Sequence, residues 1–322
     1  MPTGDGRGLR EILRDHMPPA VEPIGKGRSW REILGMNART LMVDRENSPQ
    51  AIRFVDNKEK TKDALEEIGV PVPPTVELVR DRRDLANLDW NNLPDAWVLK
   101  PNMGRQGAGI LAAAEREDNG EGDGWRTASG RRLSRSDLVD HLRSVLDGEF
   151  SPQDVENDWV LFEKLVVPHE ALARLVPQGL PDIRIICYHS EPLLAMLRLP
   201  TNASDGRANL HQGALGAAVD LGSGCVSRAL FKGREITEHP DTVHDLIGAE
   251  VPYWGQILDA ASSCSDATGL GYLGVDMVTD EELGPLVMEV NARPGLQAQN
   301  VNGVGLADRL KEVTGSRPSG PV

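Results

Sequence analysis

The 322-residue chain is poor in cysteine, with three, and in aromatic residues, at 4%. Cys187, Cys225 and Cys264 are odd in number and far apart, which leaves no disulfide framework and points to a reducing, cytoplasmic compartment. No apolar run approaches the ~18 residues of a membrane span. The opening stretch, MPTGDGRGLREILRDHM, lacks the apolar core of a signal peptide. Positive charge is also in deficit: 35 Lys+Arg stand against 49 Asp+Glu, a net charge of −14. Non-specific binding to nucleic acid needs clustered cations to displace counterions, so that partner is not expected. What is present, 39% hydrophobic and 26% charged residues, fits a globular chain, and the length suggests about two domains. The charge is uneven: residues 1–53 sum to +2 and the remainder to −16.

Patterning suggests a mixed chain. Leu9-Ile12-Leu13 and Trp30-Ile33-Leu34 have helical spacing. Lys58 to Ile68 reads as a helix stopped by Gly69, and Val70 to Val79 as extended. Trp97–Leu99 is a strand leading through Lys100 into the loop Pro101–Gly109, with a strand resuming at Ile110–Ala114. Residues 115–132, with five acids and four glycines, read as a solvated loop. Ser136–Leu146, Pro252–Thr268 and Leu306–Val313 read as helices, and 315–322 as a frayed tail. Strands are expected at 159–162, 183–188, 193–199, 217–221, from 226 onward, 273–278 and 285–290. Hairpins dominate the second half, which favours an α+β arrangement over a βαβ ladder.

Gly269-Leu-Gly271-Tyr-Leu-Gly274 spells G-x-G-x-x-G, but a helix precedes it and a strand follows, the reverse of a dinucleotide fingerprint. A helix cap turning into a strand explains it better. There is no Walker A loop, no HExxH and no CxxC. Cys187 sits in an apolar strand and reads as core.

Three elements carry chemistry. Lys100 at a strand end, followed by Gly104, Gly107 and Gly109, suits a phosphate clamp, though a plain hairpin turn would carry the same residues. Glu289 and Asn291, two apart on a strand, point to one face, and Asp276 on the preceding strand can join them. Two carboxylates and an amide suit Mg²⁺, although a solvent-facing polar edge would look similar. Arg184 beside Asp182 is either a structural ion pair or a stabiliser of transferred phosphoryl charge. Arg198 and the run Arg207-Ala-Asn209-Leu-His211-Gln-Gly213 follow it.

Taken together, Asp56-Asn-Lys58 with Lys62, Val98-Leu-Lys100-Pro with Gly104–Gly109, Asp182-Ile-Arg184, Asn209–Gly213 and Asp276 with Glu289-Val-Asn291 resemble the ATP-grasp superfamily. Within it the chain is similar to ligases that add glutamate to a ribosomal protein and to the α-L-glutamate ligase-like, sugar-transfer-associated branch. The segments Gly35–Arg39, His239–Thr242 and Asn291–Leu296 carry the likeness to that branch.

The resemblance implies an α+β, ATP-grasp fold: two α/β lobes clasping ATP, with a short helical N-terminal extension. It suggests an extension over 1–50 and a linker helix and strand over 51–95. A glycine-loop lobe over 96–166, a metal and substrate lobe over 167–315 and a tail over 316–322 would follow. It implies that Lys58 and Lys100 hold ATP phosphates and that Gly104, Arg105, Gln106, Gly107 and Gly109 close over them. Glu163, Lys164 and Val166 would form the adenine hinge, and Asn209 would reach the metal–phosphate cluster. Asp276, Glu289 and Asn291 would hold Mg²⁺, with Mn²⁺ as an alternative. Arg184 would stabilise the transferred phosphoryl group, and Arg293 and His211 would face the acceptor, His211 being equally well a structural histidine. The implied activity is an ATP- and Mg²⁺-dependent carboxylate–amine ligase working through an acylphosphate, with glutamate or another amino acid as a candidate substrate. Its partners would be small-molecule or peptide carboxylates and amines, with no nucleic acid and no membrane, and a homo-oligomer left open. An ATP-binding regulatory pseudoenzyme and an ATP-grasp kinase are the alternatives.

Overall fold

The structure is a computed structural model that describes residues 33–105, 107–117, 124–152, 155 and 157–315. The helical pattern at Leu9–Leu13, the tail at 316–322 and Gln106 lie outside the described residues.

Three helices come first: α1 Met36–Glu46, α2 Pro49–Val55 and α3 Lys58–Glu67. The expected helix around Trp30–Leu34 does not extend into the described residues, because Ile33 and Leu34 are non-helical. Helix α1 is not legible in the pattern: its sequence is mostly polar and only Met42 and Val43 are buried, so it has no apolar stripe to read. Helix α3 begins where expected because the Asn57 side chain accepts the Lys60 N–H. Gly69 then takes φ +77°, the left-handed turn out of the helix.

Strand β1 Thr75–Val79, helix α4 Arg82–Asn87, strands β2 Trp97–Pro101 and β3 Leu111–Ala113, and later β7 Val160–Lys164 build the smaller lobe. Its antiparallel sheet runs β1-β7-β2-β3. Between β3 and β7 lie β4 Glu115–Glu117, β5 Gly124–Arg126, β6 Arg132–Ser134 and helix α5 Arg135–Leu146. The expected solvated loop at 115–132 is therefore corrected in part: 115–117, 124–126 and 132 lie in strands of a three-stranded sheet, and 127–131 is a turn between two of them. Each of these strands is three residues long, too short for alternation to show through acids and glycines. Trp125 on β5 is fully buried, 5.6 Å from the Trp97 ring and 6.3 Å from Trp90, and its indole N–H donates to Pro94 O. Trp125→Ala should cost the small lobe ~3–5 kcal/mol, read from chemical denaturation followed by tryptophan fluorescence.

The larger lobe contains helix α6 Glu170–Ala173, strands β8 Asp182–Tyr188, β9 Glu191–Leu199, β10 Leu215–Val219, β11 Val226–Phe231 and β12 Arg234–Ile236, and helix α7 Trp254–Thr268. Strands β13 Tyr272–Asp280 and β14 Gly284–Asn291 and helices α8 Gln297–Asn302 and α9 Leu306–Thr314 complete it. Its antiparallel sheet has the order β12-β11-β10-β9-β8-β13-β14. Gly269 caps α7 at φ +69° and the chain turns directly into β13, so the G-x-G-x-x-G run is a cap and turn.

Two apolar cores match the two lobes. One gathers Val79, Trp97, Trp125, Leu142 and Phe162. The other joins Leu34–Val72 to Leu172–Leu310, so the residues before the small lobe pack into the large one. Polar contacts reinforce this join. Asn47, 1% exposed, donates to Tyr272 O and Ala292 O and accepts from Gly271 N and Tyr272 N. The Gln299 amide donates to Leu34 O and accepts from Leu34 N, both at 3.1 Å. Among the described residues no helix is long and apolar enough to cross a membrane.

Candidate active site

The start of α3, the end of β2, the end of β7 and the middle of β14 meet at an open pocket. Its lining includes Lys58, Lys62, Lys100, Glu163 and Glu289 over an apolar wall containing Val55, Leu65 and Val287. Four of these residues, Lys58, Lys100, Glu163 and Glu289, carry a role implied by the sequence, and they come from both lobes.

Glu163 is 3% exposed and stands between two lysines. Its Oε1 is 2.5 Å from Lys62 Nζ and its Oε2 is 2.5 Å from Lys100 Nζ. Burial pushes its carboxyl up, but Lys100 and then Lys62 outweigh burial and hold it below the ordinary range. Burial pulls the Lys62 ammonium down against Glu163, and it pulls Lys58 down against the opposing charge of Glu289.

Lys58 donates to Asn102 O at 3.2 Å and to Gly104 O, so it reaches across to the glycine-rich loop. That loop is pinned at both ends. Met103 N donates to the buried Asp158 carboxylate, which also accepts from Ser151 Oγ. At the far end His141 Nε2 donates to Gly109 O at 2.8 Å. Gly109 has φ +73°, and a Cβ there would lie 2.7 Å from Phe150 and Pro101, so the position admits glycine alone. Arg105, in the loop, is exposed and pairs with Asp56 at 2.8 Å. Gly107 has φ +79° with open space where a Cβ would stand.

The second half of the site lies on the large sheet. Register places Asp276 opposite Glu289 on one side and Arg184 on the other, with Gly274 opposite Asn291. Arg184 grips Asp276 with two nitrogens, Nε to Oδ1 at 2.6 Å and Nη2 to Oδ2 at 2.5 Å. Arg198, paired in register with Asp182, donates to Asp182 Oδ1 at 2.5 Å and lies 3.0 Å from Asp276 Oδ2. Asn291 Nδ2 donates to the same oxygen at 3.3 Å. Burial would raise the Asp276 carboxyl, but Arg184 and then Arg198 hold it below its usual range. Burial pushes Asp182 up to about 6 despite Arg198, with the Asp276 charge adding to the rise.

Glu289 differs from its neighbours. Its side chain makes no hydrogen bond or ion pair among the described residues. Burial pushes its carboxyl up, Lys58 opposes this, and Asp276 adds to it.

Other residues singled out from the sequence stand elsewhere. Lys164 pairs with Glu282 at 2.8 Å, and Val166 is half-buried. Asn209 caps a short turn, its side chain accepting from His211 N at 3.0 Å, and His211 is exposed. Arg293 is exposed beyond Asn291. His239, in a segment that carried the branch resemblance, is buried; its Nε2 donates to Pro200 O at 2.9 Å and its Nδ1 accepts from Asp241 N.

Lys62 and Arg198 emerge as neighbours of the site with more contacts than their sequence positions suggested. Lys62 faces Glu163 across 101 residues, and the Arg198–Asp182 pairing depends on strand register.

Residues 37–315 match the family model described as sugar-transfer associated ATP-grasp. The chain belongs to this family. It thus has an ATP-grasp fold. No curated protein matches this ATP-grasp chain. Among solved structures, a D-alanine–D-alanine ligase from Bacillus anthracis is similar at 16% identity and a TM-score of 0.46, over 83% of this chain and 68% of that one. The ATP-grasp ligase PsnB, complexed with precursor peptide PsnA2 and AMPPNP, is similar at 15% identity and a TM-score of 0.43, and the alignment covers 83% of this chain and 59% of PsnB.

The acidic side of the pocket offers oxygens of the type Mg²⁺ takes. Glu289 is an unpaired carboxylate among the described residues, and Asn291 adds an amide. Asp276 Oδ2 is crowded by Arg184, Arg198 and Asn291, whereas Oδ1 accepts from Arg184 Nε alone. Among the described residues no group of three or more His, Cys, Asp or Glu could hold a metal. One free carboxylate and one amide fit an ion that takes its remaining oxygens from phosphate and water.

Proposed function

We propose that this chain is an ATP- and Mg²⁺-dependent carboxylate–amine ligase. The observation that carries the reading is the shared pocket: Lys58 and Lys100 face Glu289 across it, with Asp276, Asn291 and Arg184 on the neighbouring rungs of the large sheet. Phosphoryl transfer asks for positioning and charge neutralisation more than for covalent help, and this arrangement supplies both.

In the proposed reaction a substrate carboxylate oxygen attacks the γ-phosphorus of ATP, the bond to the β-phosphate oxygen breaks, and ADP leaves. The acylphosphate is then attacked at its carbonyl carbon by an amine, phosphate departs and the nitrogen loses a proton, giving an amide. Lys58 and Lys100 would hold the phosphates, with residues 104–109 closing over them. The hinge at Glu163, Lys164 and Val166 would read adenine, and Asn209 would approach the phosphate cluster. Glu289, Asn291 and, on release from its arginines, Asp276 would hold Mg²⁺ or Mn²⁺, which when bound neutralises phosphate charge. Arg184, so released, would be free to meet the transferred phosphoryl group. Arg293 would pair with a substrate carboxylate, and His211 would serve the acceptor side. The three free cysteines suit a cytoplasmic setting.

The test is an ADP-release screen across amino acids, dipeptides and small amines, with hydroxylamine added to trap the acyl group. A hydroxamate formed with each ADP is expected. ADP without hydroxamate would favour a kinase, and no ADP with any substrate would favour a regulatory ATP binder.

A further inference from the structure

Lys62 is absent from the roles above, yet it is one of the most enclosed cations of the molecule, at 7% exposure. Its ammonium has two acceptors, Glu163 Oε1 at 2.5 Å and Pro73 O at 2.6 Å. The second contact ties it to the chain just before β1, so Lys62 cannot swing into the pocket without abandoning a backbone carbonyl. Lys100 is held differently. Its one ion pair among the described residues is with Glu163 Oε2, and an ammonium has three protons to give. Lys100 is therefore the member of this triad with donors to spare for an anion in the pocket.

Glu163 is the competitor for that charge. A buried carboxylate with one cation would turn both oxygens toward it and largely cancel its field. Lys62 prevents this by occupying one oxygen and supplying a second positive charge, so the triad Lys62–Glu163–Lys100 carries a net +1 and not zero. We infer that Lys62 is a positioning residue that keeps the Lys100 charge available for the polyphosphate of a nucleotide by holding Glu163 from the opposite side. The inference rests on the proposed ATP site and adds a determinant of phosphate affinity to it.

The experiment measures binding of ATP and of adenosine by calorimetry in EDTA, for wild type, Lys62→Met, Lys62→Arg and the double variant Lys62→Met/Glu163→Gln. Lys62→Met should weaken ATP by about tenfold or more while adenosine changes less than about twofold. Lys62→Arg should keep most of the ATP affinity. The double variant should restore the wild-type ratio of ATP to adenosine affinity, a ratio that cancels any effect of Glu163→Gln on the adenine hinge, since an uncharged amide in place of the Glu163 carboxylate no longer competes for Lys100. Unchanged ATP affinity in Lys62→Met, equal losses for ATP and adenosine, or no recovery in the double variant would each overturn the inference while leaving the ATP site in place. A wild type that binds no ATP would instead remove the proposed site and the inference with it. Melting temperatures of the same four proteins separate a loss of fold from a loss of phosphate affinity.

Discussion

Lys100→Ala should lower ATP turnover by about a hundredfold to a thousandfold with the fold retained. The fold should survive because Glu163 is not stranded: Lys62 remains 2.5 Å from its other oxygen. Removing one of two partners of a buried carboxylate is milder than removing its only one, which typically costs ~3–5 kcal/mol. The loss should fall on phosphate handling, since Lys100 is the pocket lysine with uncommitted donors. Turnover is read as ADP release and folding as the melting temperature. Near-normal turnover in a folded Lys100→Ala protein would sink the phosphate-clamp assignment.

Glu289→Gln should split activity from stability. The carboxylate has no hydrogen bond or ion pair among the described residues and stands half-buried, so its charged form is costly in the fold. Its folded pKa lies above the unfolded one. The destabilisation is therefore absent at pH below the unfolded value and fully present above the folded value. Glu289→Gln should accordingly raise the melting temperature at pH 8 and leave it nearly unchanged near pH 4. ADP formation at pH 8 should fall by more than about a hundredfold, because a neutral amide is a far poorer counterpart to a phosphate-bound cation. A variant that melts higher and stays active would mean that Glu289 serves neither metal nor phosphate. A less stable variant would mean that its charge is used within the fold.

The hairpin β13–β14 shows what was readable in advance. Glu289-Val-Asn291 alternates, and the acidic turn before it tells the strand to fold back, so the face shared with Asp276 followed from period-two geometry. The grip of Arg184 on Asp276 was less accessible. It joins strands 92 residues apart, and nothing in local pattern states which rung of β8 faces Asp276. Arg198 was harder still, because a register shift between Ile186 and Cys187 intervenes between the hairpin turn and the Asp182–Arg198 rung. Lys62 was read beside Lys58 as part of the family resemblance but with no role of its own; its pairing depends on Glu163 arriving from a strand 101 residues away. Trp125 was hidden by its surroundings, since a single large apolar residue among acids and glycines reads as loop until Trp90 and Trp97 are seen around it.

The bonds of Asn47 and Gln299 also bear on how the molecule comes into being. Asn47 reaches partners 224 to 245 residues further along, and Gln299 meets Leu34 across 265. During synthesis the segment carrying Leu34 and Asn47 leaves the ribosome long before the strands and helix that satisfy it. The small lobe, whose core draws on residues 79–162, has by then all of its own chain. The order this imposes is small lobe first and large lobe last, with helix α1 waiting unpartnered for most of translation.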